Sequence, residues 1–130
     1  MNTVLNDLKS RKILSASSFE QSEECVLGNI AGQNLSFTDA ATDSADRIWY
    51  LAVAEGGNST YDDGKYLGAV LGCMNSQQQI LFQRELLCPE KPEGLALDLQ
   101  HGKFYVVTDA DQRGQLSQLM EGDLPSLTEI

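Results

Sequence analysis

Residues Pro92 to Asp111, PEGLALDLQHGKFYVVTDAD, read as two short strands joined by a tight polar turn. Leu95, Leu97 and Leu99 alternate with Ala96 and Asp98, the period-2 pattern of a strand with one face buried. Gln100, His101 and Gly102 supply turn chemistry. Phe104 to Thr108 then runs aromatic and β-branched on both faces, as expected of a strand sandwiched inside a sheet stack.

The same grammar occurs earlier. Thr38-Asp39-Ala40-Ala41 opens a short segment, Asp43 to Asp46 makes a polar turn, and Arg47 to Glu55, RIWYLAVAE, is an aromatic and aliphatic strand ending in an acid. With one gap in the turn, Asp39 aligns with Glu93, an offset of 54 residues, and Trp49-Tyr50 aligns with Phe104-Tyr105. Self-similarity at periods of roughly 40–50 residues suits four-stranded propeller blades, a loop insertion accounting for the excess.

The remaining elements follow from that frame. Residues 65–74 and 79–87 complete a first four-stranded unit, with small residues at Gly68 and Gly72 where neighbouring blades could approach closely. Cys88-Pro89-Glu90-Lys91-Pro92 is the connection to the next unit, since two prolines exclude a paired central strand. Gln115 to Met120 adds a third strand to that unit. Upstream, residues 3–10 carry apolar residues at helical spacing and predict a short helix, and 13–19 and 25–30 read as modest strands. The expectation is one all-β domain over 1–130: an N-terminal helix with outer or sealing strands (1–36), a first blade (37–88) and a second (89–130).

The stretch from Lys91-Pro92-Glu93-Gly94-Leu95-Ala96-Leu97-Asp98 through Gly102-Lys103-Phe104-Tyr105-Val106-Val107-Thr108-Asp109 resembles a blade of the propeller superfamily containing gluconolactonase-like and esterase-like-phytase proteins. The segment from Phe37-Thr38-Asp39-Ala40-Ala41 through Ala54-Glu55 and Tyr61-Asp62-Asp63-Gly64 resembles the closing blades of an uncharacterised bacterial propeller family. That resemblance implies acids at the entrances of the inner strands that could hold a metal near the propeller axis, and Asp39 and Glu93 are the matching positions here. Glu55 and Asp109 are the further acids such a calcium site would draw on. Such propellers close with about five or six blades, whereas this chain has room for two.

Composition narrows the function. The chain is 42% hydrophobic and 22% charged, which is globular, with no apolar run near the ~18 residues of a membrane span. No signal-peptide core is present in residues 1–13, so a cytoplasmic location is expected. A net charge of −10 argues against nucleic acid and anionic membrane as partners. Cys25, Cys73 and Cys88 are an odd number without metal-ligand spacing and are expected as buried thiols. Asp109 to Gly114 matches half a calcium loop, but Arg113 stands at its fifth position and Met120 at its twelfth, which rejects an EF-hand.

No nucleophile–base pair or phosphate loop names a reaction. Two readings remain. In the favoured one the chain is a non-catalytic propeller-type module, binding a small molecule or protein through loops such as 55–64, with Tyr61, Asp62 and Asp63 at its tip. In the other it is a calcium-dependent hydrolase of lactonase or phytase type using Asp39, Glu93, Glu55 and Asp109. Three strands in the second unit leave an open edge. The N-terminal strand could cover it within the chain or in a neighbouring copy, where three copies would close a six-bladed trimeric ring. Alternatively the chain is a monomeric or dimeric half-propeller capped by Val4, Leu5 and Leu8.

Overall fold

The computed structural model describes Asn6, Lys9, Ser10, Ser15, Phe19 and residues 22–57, 64–110 and 113–127. The chain is all-β. Among the described residues, eight strands form two antiparallel sheets: β1 (Asn29–Ile30), β2 (Gln33–Thr42), β3 (Ile48–Gly56), β4 (Lys65–Met74) and β5 (Ile80–Leu86) in sequential order, then β6 (Lys91–Asp98), β7 (Lys103–Asp109) and β8 (Leu119–Asp123). Residues 91–109 form the β6–β7 hairpin. Apart from Asn6, Lys9 and Ser10, the expected helix over 3–10 lies outside the described residues, as do Tyr61, Asp62 and Asp63 and most of the expected strand 13–19. No helix among the described residues is long and apolar enough to cross a membrane.

β3 is the centre of the packing because its sequence is apolar on both faces. Trp49 and Leu51 point one way and meet Leu71, Cys73 and Phe82 of the same sheet and Leu95 and Val106 of the second sheet. Tyr50, Ala52 and Ala54 point the other way and meet Leu27, Leu35, Val70 and Met74. Full burial of a large apolar side chain contributes roughly 1.5–3 kcal/mol, so the Trp49 layer holds the two sheets together and the Tyr50 layer holds residues 25–30 on the first sheet.

A β-bulge in β2 makes this double packing possible. Phe37 pairs with Ala52 and Asp39 with Leu51, leaving Thr38 as the extra residue. In a regular strand Leu35, Phe37, Asp39 and Ala41 would share one face. The inserted residue turns Leu35 and Phe37 toward the Tyr50 layer, where Phe37 meets the Tyr50 ring edge-on at 5.3 Å, and leaves Asp39 and Ala41 on the second sheet's side. β6 has a matching bulge at Glu93, between the Pro92–Thr108 and Gly94–Val107 pairs. By these registers Thr38 corresponds to Glu93 and Asp39 to Gly94, one residue away from the alignment drawn from sequence. On β3 and β7 the correspondence is Trp49-Tyr50 with Tyr105-Val106, because Leu51 and Val107 are the partners just past each bulge.

The small residues of β4 make room for side chains within the first sheet. A Cβ at Gly72 would lie 2.1 Å from the Tyr50 ring, and one at Gly68 would lie 3.1 Å from Ile30. Gly122 likewise leaves room for Phe104, its cross-strand partner.

Residues 22–30 do not complete the second sheet, which among the described residues has only β6, β7 and β8. Residues 22–28 cross the Tyr50 layer as a strap without strand structure, and β1 joins β2 through a tight turn at Ala31 and Gly32, both left-handed (φ 50° and 80°). Leu27 of the strap is buried against the Tyr50 layer, its carbonyl accepts from Gln83 Nε2 at 2.8 Å, and the Gly28 carbonyl accepts from Leu35 N at 2.9 Å.

Candidate functional site

The acids expected to act together lie where β2 and the end of β3 meet the start of β6. Asp39, next to the β2 bulge, points across to the second sheet, where its Oδ2 accepts from Leu95 N at 2.7 Å. Glu55, near the end of β3, and Glu93, the β6 bulge residue, both hold Lys91: Nζ lies 2.6 Å from Glu55 Oε1 and 3.1 Å from Glu93 Oε1. Asp109 is the cross-strand partner of Lys91. The structure therefore gathers Glu55 and Glu93 around one ammonium, places Asp109 beside it in the ladder, and sets Asp39 against the β6 backbone.

Lys91 is the residue that sequence reasoning missed, having read 88–92 only as a connection. The available signal was a lone cation between Glu90 and Glu93 in a strongly acidic chain. Its side chain is only 23% exposed, and the Glu55 carboxylate above all, with help from Glu93, outweighs the effect of burial and holds its proton affinity well above the ordinary lysine range. A hard cation takes about 6–8 oxygen ligands. Among the described residues no three His, Cys, Asp or Glu side chains converge as a metal-holding set, and the position where two of the expected ligands meet holds the Lys91 ammonium. The Thr38 hydroxyl, at the bulge next to Asp39, is buried without a hydrogen-bond partner.

A second polar centre lies at the other end of β2. Asp43, read from sequence as a turn residue, is buried and accepts four hydrogen bonds: from Ala45 N (2.9 Å) and Arg47 N (3.1 Å) through Oδ1, and from Arg47 Nε (2.7 Å) and Trp49 Nε1 (3.0 Å) through Oδ2. Burial pushes its pKa up, but the bonds from Trp49, Arg47 and Ala45 together prevail and hold the carboxyl below the usual range. Asp98 opens the corresponding β6–β7 turn and accepts from His101 N at 3.1 Å, with His101 Nδ1 2.8 Å from its other oxygen. Both acids are turn staples.

Burial governs the Cys73 and Cys88 thiols. Burial pushes Cys73 up to about 11 and raises Cys88, whose Sγ donates to the Glu90 carbonyl; a thiol so shifted is a poor nucleophile at neutral pH. His101 is engaged with Asp98 in an exposed turn.

Against known proteins, a model described as a "Family of unknown function (DUF6929)" matches residues 1–124, and the chain belongs to that family. No curated protein and no solved structure matches it.

Proposed function

We propose that the chain is a non-catalytic module of β-propeller type, two successive blades that serve as a binding or structural unit and assemble with further copies, three copies closing a six-bladed ring. The observation that carries the non-catalytic reading is the engagement of its acids. Asp39 ties β2 to the Leu95 amide, and Glu55 and Glu93 neutralise Lys91. Carboxylates held this way tie the two sheets together: Asp39 to the β6 backbone and Glu55 to Lys91. Support for the blade reading comes from the two bulged strands, β2 and β6, each followed by an Asp-opened turn and an apolar strand.

Calcium and substrate tests separate this from the hydrolase reading. A native-state ligand must raise the melting temperature. Millimolar calcium is expected to leave melting unchanged, and lactones and phosphate esters are expected to remain intact. A calcium-dependent rise that disappears in the Glu55→Gln/Glu93→Gln double variant would overturn the proposal, because it would mean the ion displaces Lys91.

A further inference from the structure

The two sheets are joined face to face in one direction. The second sheet presents Leu95 and Val106 to the Trp49 and Leu51 side of the first, and neither sheet packs a face against its own kind. The bulge registers make Val107 the counterpart of Leu51 and its partner Leu119 the counterpart of Leu71. In the first sheet Leu51 and Leu71 are buried, because the second sheet covers them. In the second sheet the same positions face out: Val107 is 46% exposed and Leu119 70%. This unit is therefore made with a face of the kind that takes a following sheet.

At the opposite end of the stack, the strap side of the first sheet also shows apolar groups outward. Val26 is 91% exposed and Phe37 is 47% exposed, next to the buried Leu27 and Tyr50. Strap and β2 bound a cleft of about 490 Å³ lined by Val26, Ser36 and Phe37 among others.

We propose that a second copy of this chain docks its strap side, through Val26 and Phe37, onto the Val107–Leu119 face of the first, continuing between chains the direction of packing that already exists within one. The inference rests on the propeller-type reading and names the two surfaces that reading needs. Because the two surfaces differ, the contact is heterologous and propagates until it closes on itself. The strap stays in place as the layer between copies.

The test is light scattering on the 130-residue chain with Val26→Asp and Leu119→Asp, both at exposed positions where a charge leaves the core intact. Wild type is expected at a multiple of 14.2 kDa, and each variant at the mass of one chain with an unchanged far-UV spectrum. An equimolar mixture of the two variants is expected to form a 1:1 pair that grows no further, since each variant keeps the surface the other has lost. Wild type at one-chain mass at its highest soluble concentration overturns the proposal. So does a Leu119→Asp variant that is monomeric while Val26→Asp still self-associates, which would mean like faces join. A wild-type oligomer that neither variant breaks up overturns this contact and leaves the assembly of copies standing, whereas wild type at one-chain mass overturns both, so the two failures are distinguishable.

Discussion

Asp39 of the first sheet accepts a hydrogen bond at 2.7 Å from the backbone amide of Leu95 in the second. β2 and β6 belong to separate sheets, so no ladder satisfies the β6 amides that face β2. Leu95 is buried, and a buried N–H needs a partner. One carboxylate, aimed by the Thr38 bulge, supplies it.

Asp39→Ala is accordingly expected to destabilise the fold by about 1–3 kcal/mol, the usual cost of stranding a buried donor. Asp39→Asn keeps an acceptor and loses only the charge-assisted part, so its cost should be smaller. Urea unfolding followed by the fluorescence of Trp49, the single tryptophan, measures both. Equal costs would show that the charge and the acceptor are inseparable there.

Lys91→Met leaves Glu55 and Glu93 facing each other without their shared cation. Because these side chains are partly exposed, solvent screening holds the expected loss to about 1–2 kcal/mol, shrinking in molar salt. Adding Glu55→Gln should recover part of it. The folded-state pKa of Lys91 is raised, so its stabilisation is full below the ordinary lysine value of about 10.4 and lost as pH rises through the folded value. The difference between Lys91→Met and wild type should therefore be constant from neutral pH to about pH 10.

The strands were legible because their side chains state the period plainly: RIWYLAVAE has no polar face to place in water, and LALDL has one. The bulges were not. Thr38 and Glu93 look like ordinary strand residues, and only the pairing across to β3 and β7 shows that each is an insertion; an alignment by residue type therefore matched Asp39 to Glu93, one position off. The acids of the site were recognisable as a group through the resemblance to propeller blades, which singled out Asp39 and Glu93. Their partners were not, because Lys91 meets Glu55 across 36 residues of chain, and no local pattern encodes that distance.

Asp43→Asn is expected to cost about 2–3 kcal/mol, since the neutral amide cannot accept from Arg47, Trp49 and two backbone amides as the carboxylate does. The pKa of Asp43 is lowered in the folded state, so its contribution is present above the ordinary aspartate value of about 3.9 and lost as pH falls through the folded value. Wild type should thus lose stability more steeply below about pH 4 than Asp43→Asn. Parallel urea titrations at pH 7 and pH 3 measure this, and Trp49 reports it directly because its indole N–H is one of the bonds at stake.

Tyr50 governs the alkaline limit. Burial pushes its phenol up to about 12, and the hydroxyl donates to Gln83 Oε1 at 2.6 Å, while the other end of the same amide holds the strap carbonyl of Leu27. Tyr66, bonded to the Cys88 carbonyl, is pushed up to about 12 by the same cause. A raised folded-state pKa means stability that is full below the unfolded value of about 10 and lost as pH climbs from there toward 12. Tyr50→Phe should therefore cost about 0.5–1.5 kcal/mol at pH 7, through the lost hydrogen bond, yet flatten the loss of stability between pH 10 and 12. Circular dichroism across that range, with Tyr66→Phe as the companion, resolves the two contributions. Faster amide exchange at Leu35, whose N–H is bonded to the strap at Gly28, is the accompanying sign that Gln83 has lost its orientation. An alkaline profile identical to wild type would mean the fold opens before either phenol ionises.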